Sequence, residues 1–258
     1  MIIQITALEQ SPDRYKTLVS QLKRAGSLRH DTAGAVKAIQ CDFTKQKGED
    51  FSDVTHMLLD PSCSGSGILS RLDYLTNEQD QNDEVKEGKE QERLRGLSAF
   101  QSNMIDHAMQ FPSLRRFIYS TCSIHHEENE SVVMRALQSE VAKSRGWKLA
   151  PKREVLPSWS TRGIIEHCDG QMELAESMIR CVPGGEEKGD KASEGQSVVD
   201  LDATNGFFLA CFVRNSNNNA KNKKRNRRAK EKAKENKRAK LSKGEDSEDD
   251  GEDGEDDE

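Results

Sequence analysis

Three short apolar runs, each closing on a carboxylate, set the frame for what this chain can become. Residues 1–8 lead to Glu9, residues 35–41 to Asp42, and residues 54–59 to Asp60. Runs of that length read as strands, and the first is expected to be buried. After Glu9, Ser11 stands as a cap with Pro12 at the first helical position. Tyr15, Leu18, Val19 and Leu22 make one apolar face before Gly26 ends the helix. Further on, Leu94, Leu97, Gln101, Met104, Ile105 and Ala108 keep a helical period, residues 116–120 read as a strand, 127–144 as an amphipathic helix, and 207–213 as a last strand. Such alternation predicts an α/β fold with a mostly parallel sheet covered on both faces.

The hydrophobic fraction of 33% is low against the roughly 45–50% of a packed domain counted with glycine. The deficit sits at the end of the chain, where residues 221–243 hold thirteen Lys/Arg against two Glu and residues 245–258 hold eleven Asp/Glu. These blocks cancel, so the formal charge of −6 belongs to the residues before them. The expected organisation is a folded domain over 1–214 and a disordered, basic-then-acidic tail over 215–258. Residues 77–91, polar and charged, are expected to be a loop insertion, and 183–196 a Gly- and Glu-rich loop.

Six cysteines at 41, 63, 122, 168, 181 and 211 show no close pairing, and no apolar leader or membrane-length apolar run is evident. Free thiols in a soluble intracellular protein are expected. Two of these cysteines close strand-like runs, in Asp60-Pro61-Ser62-Cys63-Ser64-Gly65-Ser66-Gly67 and in Tyr119-Ser120-Thr121-Cys122-Ser123. Open α/β sheets bind ligands at the carboxyl ends of their strands, so the pair is placed to share a site. On residues alone each cysteine also reads as a small core residue ending a strand. The carboxylates suit ribose hydroxyls or an exocyclic amine, and equally suit helix capping. His125 and His126 beside Cys122 lack metal-ligand spacing, and no metal is expected. Asn129-Glu130-Ser131 matches a glycosylation acceptor, which has no meaning without secretion.

With Asn205-Gly206-Phe207-Phe208-Leu209-Ala210 added to the two cysteine segments, the chain resembles the Nop/Sun family of S-adenosylmethionine-dependent RNA cytosine-5 methyltransferases. The Asp-Pro-Ser-Cys form resembles the subgroup acting on large-subunit rRNA. The resemblance implies a Rossmann-like class I methyltransferase sheet and S-adenosyl-L-methionine as cofactor. It implies Cys122 as the nucleophile that adds to carbon 6 of cytosine, Cys63 as the cysteine that breaks the adduct, and Asp60 as the carboxylate that hydrogen-bonds the base. Glu9, with Arg14 nearby, matches the ribose-binding acid, and Asp42 an acid on the adenine side. Asp60 is expected to border the cofactor as well.

The family's Gly-rich cofactor loop and its strand precede the ribose acid, and here Glu9 follows only eight residues. An N-terminally truncated sheet, with weak cofactor binding and marginal activity, is therefore expected. RNA, with rRNA foremost, is the expected partner, no membrane is, and the basic stretch reads as an RNA-binding arm or a nuclear or nucleolar address. The competing reading is a catalytically inactive RNA-binding or ribosome-assembly protein that keeps the fold. A DNA cytosine methyltransferase would carry Pro-Cys in the first segment, whereas Ser62 precedes Cys63.

Overall fold

In the computed structural model, which describes residues 4–28, 36–68, 83–182 and 204–214, the first apolar run forms strand β1 (Ile5–Glu9) and the first amphipathic stretch helix α1 (Pro12–Arg24). Proline occupies the first turn, where its missing N–H costs nothing. Gly26, at φ 64°, takes the left-handed conformation just past the helix end. The Ser11 hydroxyl makes no cap bond. Its backbone N–H instead donates to Glu9 Oε1 at 2.7 Å. Strand β2 (Val36–Gln40) then lies parallel to β1, with Ile5 opposite Val36 and Glu9 opposite Gln40.

The expectation of a buried first strand is not met, because Ile5 is 52% exposed and no residue of α1 is buried. Among the described residues β1 pairs with β2 alone, and a strand with one neighbour and one covering helix is left partly wet.

Among the described residues the larger sheet has five strands: β3 (His56–Leu59), β4 (Arg116–Thr121), β5 (Trp147–Leu149), β6 (Met178–Cys181) and β7 (Phe207–Arg214). β3 runs parallel to β4, with Leu59 opposite Tyr119. β7 runs antiparallel to β4 along one side, and β6 and β5 share its other side, also antiparallel. The sheet is thus mixed α/β but not mostly parallel. Strand direction follows from where the connecting chain returns, and apolar runs carry no record of that. β5 and β6 are too short for a period-2 pattern and went unpredicted.

β4 alternates strictly, with Phe117, Tyr119 and Thr121 buried and their neighbours less so. On that face helices α2 (Asp83–Met109) and α3 (Glu130–Gln138) bring Ile105, Ala108, Met109, Val132 and Val133 against Phe117, Tyr119, Phe208 and Phe212. Phe117 stacks on Phe212 with centroids 4.6 Å apart, and the Trp147 ring meets its edge. A smaller cluster of Ala150, Val155, Ile179 and Cys211 occupies the other face.

Two helices differ from expectation. Residues 83–91 belong to α2 rather than to a loop, because Lys, Glu, Gln and Arg are good helix formers and extend a helix already seated by Leu94 and Ile105. The helix expected over 127–144 is two, α3 and α4 (Glu140–Arg145). Ser139 leaves the helical conformation and its hydroxyl accepts from Ala142 N–H at 3.2 Å, capping the second. α5 (Met172–Glu176) precedes β6. No helix among the described residues is long and apolar enough to cross a membrane. The loops expected over 77–82 and 183–196 and the tail expected over 215–258 lie outside the described residues.

Candidate active site

β3 and β4 are parallel neighbours, so the loops leaving their carboxyl ends emerge side by side. One carries Asp60 and Cys63, the other Cys122, and the two sulfur atoms lie 2.9 Å apart. Asp60 is exposed, and its Oδ1 accepts from the Ser120 hydroxyl at 3.2 Å. The three residues expected to do chemistry therefore lie together at the carboxyl ends of two adjacent strands.

Cys122 is not a ready thiolate. Burial pushes its thiol up to about 12, helped by the hydrogen bond and charge of Cys63 and by the charge of Asp60. A thiol raised in this way favours a nucleophile that loses its proton only as it attacks.

The loops are locked by backbone contacts that need glycine. Gly67 N–H donates to the Cys122 carbonyl at 2.9 Å, and Gly206 N–H donates to the Gly67 carbonyl at 2.7 Å. A Cβ on Gly67 would collide with the Gly206 backbone, which explains why the Asn205-Gly206 turn and the serine-glycine turn go together. The hydroxyls of Ser64, Ser66 and Ser123 contact one another at 3.0–3.3 Å across the two loops.

Several supporting residues escaped the sequence reading. The turn after Cys122 buries Glu128, Asn129 and Glu130 completely. Glu128 Oε1 accepts from Ser64 N–H and from Gln101 Nε2, both at 2.9 Å. Asn129 accepts from the Thr121 hydroxyl at 2.6 Å and donates to the Ser123 carbonyl at 2.8 Å. Buried in this way, Asn129 is no glycan acceptor. Glu130 receives Arg180 Nε and Nη2 on its two oxygens at 2.6 Å, and Arg180 Nη1 donates to the Ile124 carbonyl at 3.0 Å. Burial works to raise the Glu130 carboxyl, yet the guanidinium holds it below its usual value. The signals were the polar stretch Glu127-Glu128-Asn129-Glu130, five residues past Cys122, and a polar Gln101 at a core position of a helical period.

His126 stacks on His167 with centroids 3.7 Å apart, and its Nδ1 lies 3.2 Å from the Ser131 hydroxyl. Burial lowers its basicity.

The residues expected to hold a nucleoside lie at the carboxyl ends of β1 and β2. Glu9 Oε1 takes Ser11 N–H and the Arg14 guanidinium, leaving Oε2 without a partner among the described residues. That free oxygen fits a ribose hydroxyl. Asp42 fits less well, since Oδ1 is occupied by the Thr44 N–H and hydroxyl and Oδ2 faces Gln10 and Lys45. The Thr44 hydroxyl leads in holding the Asp42 carboxyl below its usual value, with burial opposing it and the Thr44 N–H and Lys45 adding to it. Glu9 and Asp42 come together across the β1–β2 pair, with Cys41 N–H donating to the Glu9 carbonyl at 3.0 Å. Asp60 joins the cysteines in the other sheet.

The sequence pattern of the family described as 16S rRNA methyltransferase RsmB/F matches residues 2–158. A 25S rRNA (cytosine-C(5))-methyltransferase of Schizosaccharomyces pombe, rcm1, is 45% identical over 183 residues, covering 70% of this chain and 36% of its own. A 28S rRNA (cytosine-C(5))-methyltransferase of Mus musculus is 40% identical over 219 residues, covering 82% of this chain and 37% of its own. The chain thus spans little more than a third of the curated relatives it matches. A solved structure, PH0851, is similar over 81% of this chain and 37% of its own at 22% identity and a TM-score of 0.50, a likeness that speaks to the fold alone.

Proposed function

This chain belongs to the 16S rRNA methyltransferase RsmB/F family, and from that premise we propose that it carries the methyl-acceptor site of an RNA cytosine-5 methyltransferase acting on large-subunit rRNA. The observation that carries the reading is the convergence of Cys63 and Cys122, 2.9 Å apart, beside Asp60 at the ends of two parallel strands. The 25S and 28S relatives support the substrate class, and an rRNA substrate supports a nuclear, nucleolar place of work.

Cytosine carbon 5 is too poor a nucleophile to take a methyl group unaided. In the reaction we propose, Cys122 Sγ gives up its proton to solvent as it donates an electron pair to carbon 6, forming an S–C bond. The π pair of the 5,6 double bond moves to carbon 5 as N3 takes up a proton from solvent, and Asp60 accepts from the N3–H and N4–H edge of the base, holding it in that form. S-adenosyl-L-methionine, when bound, supplies the electrophilic methyl group, and Glu9 is the residue best placed to hold its ribose. Release reverses the addition. Cys63 Sγ, its own proton first lost to solvent, takes the proton from carbon 5, the carbon–hydrogen pair re-forms the double bond, the S–C pair returns to Cys122, and N3 gives its proton back to solvent.

The test is to incubate the full chain with an rRNA fragment containing 5-azacytidine and with S-adenosyl-L-methionine, then resolve adducts under denaturing conditions. A covalent RNA–protein band lost in Cys122→Ala is the expected result. No adduct, or one that survives Cys122→Ala, would overturn the proposal.

A further inference from the structure

Glu128 and Asn129 are adjacent, both fully buried, and their side chains reach back to different cysteines. The Glu128 side chain, with Gln101, grips the peptide groups on either side of Cys63. Its Oε1 accepts from Ser64 N–H at 2.9 Å, while the Gln101 Nε2 that also donates to that oxygen donates to the Ser62 carbonyl at 3.0 Å. The Asn129 side chain holds the residues on either side of Cys122, accepting from the Thr121 hydroxyl before it and donating to the Ser123 carbonyl after it. Among the described hydrogen bonds, the Glu128 side chain makes none to the Cys122 loop and the Asn129 side chain none to the Cys63 loop.

From this we infer that one turn anchors the two cysteine loops through different side chains, alongside the serine contacts that join the loops: Asn129 sets Cys122 for attack, and Glu128 with Gln101 sets Cys63 for release. The inference rests on the reading that Cys122 forms the adduct and Cys63 resolves it. Each sulfur must meet a different carbon of the same base ring, and a displacement of about 1 Å in such a group can cost about a hundredfold in rate. Neighbouring substitutions should therefore impair opposite halves of the reaction.

The experiment measures, for the full chain with an rRNA fragment and S-adenosyl-L-methionine, both the rate of covalent adduct formation and the rate of methyl turnover. Asn129→Ala is expected to lower both together by about tenfold to a hundredfold. Glu128→Ala and Gln101→Met are expected to form adduct at the unsubstituted rate yet turn over about tenfold or more slowly, so that adduct accumulates as in Cys63→Ala. Glu128→Gln, which keeps an oxygen for Ser64 N–H, is expected to restore turnover. Gln101→Met, close in volume, carries the test should Glu128→Ala not fold.

A common loss of both steps in every variant would mean that the turn merely supports the fold, and would overturn the inference. So would unimpaired turnover in Gln101→Met. Should Cys63→Ala itself fail to accumulate adduct, the assignment of the release step falls first. If Cys63→Ala traps adduct and Gln101→Met does not, only the positioning role falls.

Discussion

At the scale of single residues the decisive property is the reluctance of Cys122 to ionise. Burial is the larger cause and the Cys63 sulfur the next, so most of the thiol stays protonated where an ordinary cysteine of pKa about 8.5 would already titrate. The rate of Cys122 alkylation by iodoacetamide, followed by peptide mass spectrometry, should therefore keep rising from pH 8 through pH 10 instead of levelling off. Replacing Cys63 by Ala removes the neighbouring thiol and should shift that profile to lower pH. A profile unmoved by the replacement would mean that the sulfur–sulfur contact does not govern the nucleophile. Asp60, Cys63 and Cys122 were all legible in the sequence, since short segments at strand ends carry their own chemistry. Their mutual distance was not, because it depends on two strands pairing across some sixty residues of intervening chain.

Between elements, the buried pair Glu130–Arg180 joins the first turn of α3 to β6 and, through the Ile124 carbonyl, to the loop after Cys122. Arg180→Met leaves an uncompensated carboxylate in the interior and should cost about 3–5 kcal/mol in urea unfolding. Adding Glu130→Leu should recover much of the loss, since the stranded charge is the main penalty. The same pair predicts a pH dependence. Glu130 has a folded pKa below its unfolded value of about 4.3, so its contribution is present above that value and drains away as pH falls through the lower folded one. Urea midpoints of Arg180→Met measured down through this acid range should lack that component. The extension of α2 and the break at Ser139 show what an apolar pattern omits. Helix propensity carries a helix past its buried face, and one serine hydroxyl offers the backbone a competing partner.

For the molecule as a whole, burial is uneven in a way that predicts its motions. β4 and β7 lie between neighbours and beneath α2 and α3, whereas β1 and β2 pair only with each other among the described strands. Phe43, just after β2, packs on Phe111 at 5.6 Å and on His107 at 4.9 Å, joining that segment to α2. Native-state hydrogen exchange should find the amides of β4 and β7 slowest, and those of β1 and β2 faster by about a hundredfold or more. Phe43→Ala should widen the gap by speeding β1 and β2 alone. Equal protection in the two sheets would contradict this picture. By itself the sequence determined the α/β alternation, the residues at the strand ends and the family, because backbone periodicity, caps and short motifs act over a few neighbouring residues. Only the tertiary structure decided that β7 runs antiparallel, that β1–β2 stands apart from the larger sheet, and that Gln101, Glu128 and Asn129 hold the cysteine loops. Those outcomes rest on hydrogen bonds and packing between segments distant in the chain, as between Ser64 and Glu128, and local chemistry does not encode which distant partner will complete them.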